Sequence, residues 1–306
     1  MAHNRPTEQD TSSEGGAQRN PVWTVLAIAG VVGVVICLII ATVLALRDDD
    51  SAGTGAGPQS TPPPVSASTR APGELPGQSD PQYAGLRTPI TDAFGRRVDV
   101  PKWSGGWALP QDSWRGTATW SPNTPVPAPA GLMWQKVNDG VIVPFSTSDG
   151  PRTVYAGQAL GFRHSPQGAA IAVSNISLRI AGSVNEMAQV IYDEQVEMTT
   201  EQRAQLNSDL AKQGPYYREL TDAAMTYQAR PDAFRIVDYS DDYAIIEIAS
   251  RAPESGTAST PTQQWITNRW QAVWDGDAGD HGDWKLQLPT ADNSGTTTSL
   301  EGWTPW

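Results

Sequence analysis

Between Val22 and Leu46 the chain runs for 25 residues without a charge, as VWTVLAIAGVVGVVICLIIATVLAL, and no other feature limits its fold as strongly. At about 1.5 Å per residue, a helix of that length reaches ~38 Å and can cross a hydrocarbon core of ~30 Å with some tilt. A secretory signal core is shorter, about 7–15 residues, and a small-residue cleavage site follows it. Here Leu46-Arg47-Asp48-Asp49-Asp50 closes the run as a charged stop. The expectation is one transmembrane helix bounded by Val22 and Leu46, with the lipid bilayer as its partner. Arg5 and Arg19 precede it and Arg47 follows, a cation bias that puts the N-terminus in the cytoplasm and the C-terminal domain outside. Ala29-x-x-x-Gly33 and Ala41-x-x-x-Ala45 would permit such helices to pair, which leaves a homo-oligomer open.

The flanks of the run divide the rest of the chain. Residues 1–21 read as a disordered polar tail. Residues 47–83 contain GTGAGPQSTPPPVSAS and read as a Pro/Gly/Ser-rich stalk, too poor in apolar side chains to offset the entropy of ordering. Residues 84–306 remain as one extracytoplasmic domain. The single cysteine, Cys37, lies inside the apolar run, so neither an internal disulfide nor a thiolate metal site is available to that domain. The chain carries 33 Asp+Glu against 21 Lys+Arg, a net charge of −12, and no cluster of cations. That balance argues against nucleic acid as a partner, because phosphate contacts dominate such binding.

Within the domain, residues 84–160 are rich in turns and short strands. Asn138-Asp139-Gly140 between MWQKV and VIVPF is a hairpin signal, and RTVYAGQALGF reads as further strand. Residues 165–230 read as helical. Ser165 can cap a helix with Pro166 at its first position and a run to about Ile180, and Gly182 ends it. Ser183-x-x-Glu186 has the form of a capping box, and a third helix runs from Thr200 to Lys212. YYRELTDAAMTYQ reads as helix or loop. Residues 233–290 read as two antiparallel hairpins, AFRIVDYS with YAIIEIAS and QQWITNRWQAVW with DWKLQL. The expected class is α+β: one transmembrane helix plus a soluble domain with about three helices packed on a curved antiparallel sheet, preceded by an irregular N-terminal extension.

The string Gly161-Phe162-Arg163-His164-Ser165-Pro166 with Gly168-Ala169-Ala170 follows a frame of Trp134, Val137, Gly140, Val143-Pro144, Ser146 and Gly150-Pro151. Together with WQAVWDGD and GDWKLQL, it resembles a group of actinobacterial membrane-anchored proteins. The helices-then-strands order is similar to the nuclear-transport-factor-two-like fold of bitopic assembly proteins in conjugative, type IV-like secretion systems. The resemblance implies a place near conjugation-type machinery. It carries no catalytic residues.

Candidate chemistry was weighed residue by residue. His164-Ser165 with Asp149 upstream invites a hydrolase reading, but there is no Gly-x-Ser-x-Gly elbow, and adjacent residues need not face each other. Asp275, Asp277, Asp280 and Asp283 invite a calcium reading, yet Gly279, Asp280 and Leu286 stand where an EF-hand loop wants a ligand, glycine and glutamate. His3 lies across the expected membrane helix from His164 and His281, which leaves no histidine metal triad within one chain, and Asn175-Ile-Ser177 matches a glycosylation sequon inside a predicted helix. The reading is therefore of no catalytic, cofactor-binding or metal residues and no cofactor. A contact or ligand surface is expected at His164, Trp265, Trp303 and Trp306. Tryptophans on strands are mostly core, while exposed ones suit a protein partner or sugar stacking. The expected function is non-enzymatic: protein contacts within an envelope assembly. The alternative is a cell-wall or carbohydrate-binding module, and a hydrolase ranks below both.

Overall fold

Period-two burial along the longest strands orients the molecule. In Tyr243–Arg251 the side chains of Ala244, Ile246 and Ile248 are buried beneath helices, while Glu247 points to the opposite face. The computed structural model describes residues 84–112, 120–138, 140–155, 157–183, 185–213, 229–252, 263–279 and 281–306. The expected anchor at Val22–Leu46, the stalk and the segment 216–228 lie outside the described residues.

Short strands open the described chain: β1 (Ile90–Thr91), β2 (Arg97–Val98), β3 (Met133–Val137), β4 (Val141–Phe145), β5 (Thr153–Tyr155) and β6 (Gln158–Leu160). They pair as three separate antiparallel hairpins, β1–β2, β3–β4 and β5–β6. Helices α1 (Pro166–Gly182), α2 (Asn185–Gln195) and α3 (Thr200–Gln213) follow, with β7 (Val196–Glu197) between α2 and α3. The remaining strands are β8 (Ala233–Tyr239), β9 (Tyr243–Arg251), β10 (Trp265–Asp275), β11 (Asp283–Gln287), β12 (Ser294–Thr297) and β13 (Thr304–Pro305). The seven-stranded sheet has the order β13-β8-β9-β10-β11-β7, and β12 pairs with the first half of β10.

This architecture corrects the expected class. No described helix is long and apolar enough to cross a membrane. The described chain is mostly β, with three helices. The large sheet is mixed, because β7 runs parallel to β11. The N-terminal extension carries one short hairpin, β1–β2, and Asp99 bridges from it to Gln135 of β3. Most important, α1 is not a cover with a solvent face. It is buried nearly all round, from Pro166 to Ser177 and again at Arg179, Ile180 and Gly182. One side meets Ile246, Ile248, Trp270 and Leu286 of the large sheet. The other side meets the β3–β4 hairpin, where Asn175 Nδ2 donates to Pro144 O and Gly182 leaves room only for Val141. A helix buried on nearly every face needs such a double wall.

Polar ties hold the extension to the large sheet. Asp92 accepts bonds from the backbone N–H groups of Phe94 and Arg96 and from Arg96 Nε, closing the β1–β2 turn. Arg96 then reaches Asp232 at 2.9 Å, and Asp232 also accepts from Arg251. On the outward face of the sheet, Glu247 lies directly across from Arg235 on one side and Arg269 on the other, and pairs with both.

Candidate functional site

The turn between β6 and α1 is where the sequence string around His164 meets the far end of the chain. Gly161 takes a φ of 77° and redirects the backbone after β6. The next amides dock on Asp283: Gly161 N donates to Oδ2 at 2.7 Å, and Phe162 N donates to Oδ1 at 3.1 Å. Trp284 N donates to Oδ1 as well, and the Trp284 indole donates to Arg163 O at 2.9 Å. Asp283 is thus a latch between the β6–α1 turn and β11. Burial pushes its carboxyl up to about 6, against the pull of those three backbone donors and of the nearby Arg152 charge.

His164 is held by aromatic packing and not by Ser165. Its ring stacks on Trp274 at 3.9 Å with planes 5° apart and meets Trp284 edge-on at 5.5 Å. Its Nε2 contacts the carbonyl of Asp241 in the β8–β9 turn. The Ser165 hydroxyl turns the other way. It donates to Asp149 Oδ1 at 2.7 Å and accepts from Gly168 N at 2.9 Å, capping α1 at 1% exposure. The geometry gives Ser165 no histidine base.

The acidic loop after β10 is likewise spent on structure. Asp275 pairs with Lys285 at 2.8 Å and accepts from Asp277 N, and the Lys285 bond leads in holding its carboxyl below the usual range. Asp283 is the latch already described, and Asp280 lies outside the described residues. Among the described residues no three metal-ligating side chains gather.

These elements nevertheless wall a cleft of about 1270 Å³. The β5–β6 hairpin forms one side, the end of α2 another, and the β10–β11 hairpin the third. Gln158 and Gln195 lie in its floor, 7% and 3% exposed. Gln195 Nε2 donates to Ala159 O at 2.8 Å, whereas its Oε1 is buried and accepts nothing. Glu194, Asp277 and His281 are exposed along the walls, and Arg152 stands exposed at the β5 side. Trp274 is half-buried there against His164.

Of the side chains expected to form a contact surface, only His164 lines this cleft. Trp303 is 8% exposed and packs with Ala233 and Ala249, with Trp265 set against that cluster. The Arg235 guanidinium lies 4.8 Å from the Trp303 ring. Trp306 meets Trp134 edge-on at 5.6 Å and Phe234 at 4.3 Å. The tail is docked onto the domain. Gln158, Gln195, Glu194 and Arg152 were missed, because isolated amides and charges in polar segments carry no spacing signal.

A mostly β domain with one enclosed helix and an open cleft at its hairpin ends is the class that fold and site define. Residues 99–305 match a family described as a domain of unknown function, DUF8175, and the chain belongs to that family. Neither a curated protein nor a solved structure matches it.

Proposed function

We propose that this chain is a non-enzymatic recognition domain whose contact site is the His164–Trp274 cleft, working within an assembly of the cell envelope. The observation that supports it is the contrast inside the site. Side chains with catalytic potential, Ser165, Asp275 and Asp283, are consumed by capping, pairing and latching, while the cleft beside them stays open and carries exposed charged side chains on an otherwise largely apolar lining. Pockets that bind rather than react need only convergent, correctly placed polar groups on rigid walls. Here the walls are tied directly to the core by Asp283 and the Trp284 indole. The envelope setting rests on the resemblance around residues 134–170, and the acidic balance disfavours a nucleic-acid partner.

The test is site-specific photocrosslinking in cells that express the full chain. A photoreactive residue at Glu194, exposed on the cleft wall, should give a discrete adduct, and the same residue at Asp292, exposed elsewhere, should not. Absence of an adduct from Glu194 and from Asp277 would overturn the reading.

A further inference from the structure

We infer that the cleft takes a carbohydrate chain, which rests on the preceding reading of the cleft as the contact site. The first support is Gln158. Its neutral amide lines the cleft and makes no side-chain hydrogen bond among the described residues, so a hydroxyl group entering the cleft would pair with it. Gln195 places a second neutral amide in the same lining, held there by its bond to Ala159 O. Amides are both donors and acceptors, as sugar hydroxyls are, so the pair suits a ligand dense in hydroxyls and without fixed charge.

The walls point the same way. Glu194 and Asp277 are exposed carboxylates, each able to accept from two neighbouring hydroxyls. The half-buried indole of Trp274 offers an apolar edge for C–H groups beside them, its one face being taken by His164. At about 1270 Å³ the cleft exceeds the ~300–1,000 Å³ usual for a small ligand, so an oligomer suits it better than a single sugar.

Other occupants fit less well. Phosphate-bearing chains would face Glu194, Asp275 and Asp277 with only the exposed Arg152 to set against them, Lys285 being already committed to Asp275 and Glu197. A cation lacks a three-ligand set among the described residues. An apolar segment would find the larger apolar side chains of the wall, Phe162 and Trp284, already buried in the core.

The experiment titrates the full chain with short cello-, chito- and manno-oligosaccharides, following the indole N–H resonances of 15N-tryptophan-labelled protein and the heat of binding. The Trp274 signal is assigned with Trp274→Phe, which keeps the stack on His164. At least one series should shift that signal. Gln158→Leu should then weaken binding about three- to tenfold, the scale of one neutral hydrogen bond, and Asp292→Asn should leave it unchanged. Because Gln158 is itself largely buried, the exposed Glu194→Gln provides a second variant that leaves the floor in place, and it too should weaken binding. If no oligosaccharide moves the Trp274 signal while the Glu194 crosslinker still captures a protein, the carbohydrate inference is overturned and the recognition reading stands. If neither Glu194 nor Asp277 gives an adduct and no oligosaccharide moves the Trp274 signal, both fall. Binding that is equally strong in Gln158→Leu and Glu194→Gln places the sugar elsewhere and also overturns the inference.

Discussion

Arg179 is the least expected residue of the core, with no solvent exposure and no ion-pair partner among the described residues. Its guanidinium donates to the carbonyls of Gly105 and Gly157 and to Asn175 Oδ1, and lies 5.8 Å from the Phe145 ring, while Nη2 has no partner. Burial alone pulls this group down to about 9, which shows how poorly the charge is compensated. Replacing buried ion pairs by apolar side chains of similar volume is often neutral or better, and Met keeps the volume that truncation to Ala would lose as a cavity. Arg179→Met should therefore retain stability better than Arg179→Ala by at least ~2 kcal/mol in urea unfolding; equal losses would show that the hydrogen bonds to the two glycine carbonyls dominate. Asp283 makes the pH-dependent counterpart. The folded state keeps its proton up to about pH 6, but the unfolded carboxyl releases it near the ordinary 3.8. The folded state binds more protons in that window, so this group's contribution is full below about pH 4 and is lost as pH rises through 6. The step amounts to ~2–3 kcal/mol. Unfolding midpoints measured on both sides of the window should show it in the parent and not in Asp283→Asn, and a stability that rises across the window in the parent alone would contradict it.

Among elements, α1 depends most on its first turn. Ser165 caps it from a site sealed between Asp149 and Gly168, and the Ser148 hydroxyl also donates to Asp149. Gly168 lies so close to Arg163 O that any Cβ would collide with it. The cap of α3 uses the same chemistry in the open: Gln202 N donates to Thr199 Oγ1, and Gln202 returns its amide oxygen to Thr199 N. Thr199→Ala should cost about 1 kcal/mol, the usual value of a cap, while Ser165→Ala should cost ~2–3 kcal/mol because it also strips a donor from buried Asp149. Chemical denaturation of the two variants checks the difference. Much of this local structure was legible beforehand. Ser165-Pro166 marked the start of α1, Asn138-Asp139-Gly140 joined the strands that became β3 and β4, and alternation in AFRIVDYS and YAIIEIAS gave β8 and β9. What period and capping signals cannot carry is pairing between distant segments. The parallel contact of β7 with β11, β13 on the edge of β8, and an α1 enclosed by two sheets all depend on tertiary packing. The site shared that limit. His164 and the loop at Asp275 stood out by composition, yet Gln195 gains its meaning only by lying opposite Ala159 in the folded chain.

At the scale of the whole molecule, the last residues of the chain close the structure. Trp306 packs against two hydrophobic groups at once, the main core through Phe234 and the extension's own cluster of Val98, Trp134 and Ile142. Its backbone N–H donates to Asp232 O, on the same residue whose carboxylate takes Arg96 and Arg251. Thr304 reinforces the seam, donating to Val126 O at 2.6 Å from a buried position. Trp303, by contrast, serves only the outward cluster of Ala233 and Ala249. The two tryptophans therefore make different predictions despite their proximity. Trp306→Ala should cost ~3–5 kcal/mol, the usual range for losing a packed tryptophan, and should speed amide exchange both in β2–β3 and in β8. Trp303→Ala should speed exchange in β8 and β9 only. Hydrogen exchange read by mass spectrometry on the full chain separates the cases. If Trp306→Ala left β2–β3 protection unchanged, the extension would have to be held by the Asp92, Arg96 and Asp232 ties and by the packing of β3–β4 on α1, and the tail would lose its role as the wedge that makes hairpins and sheet one folding unit.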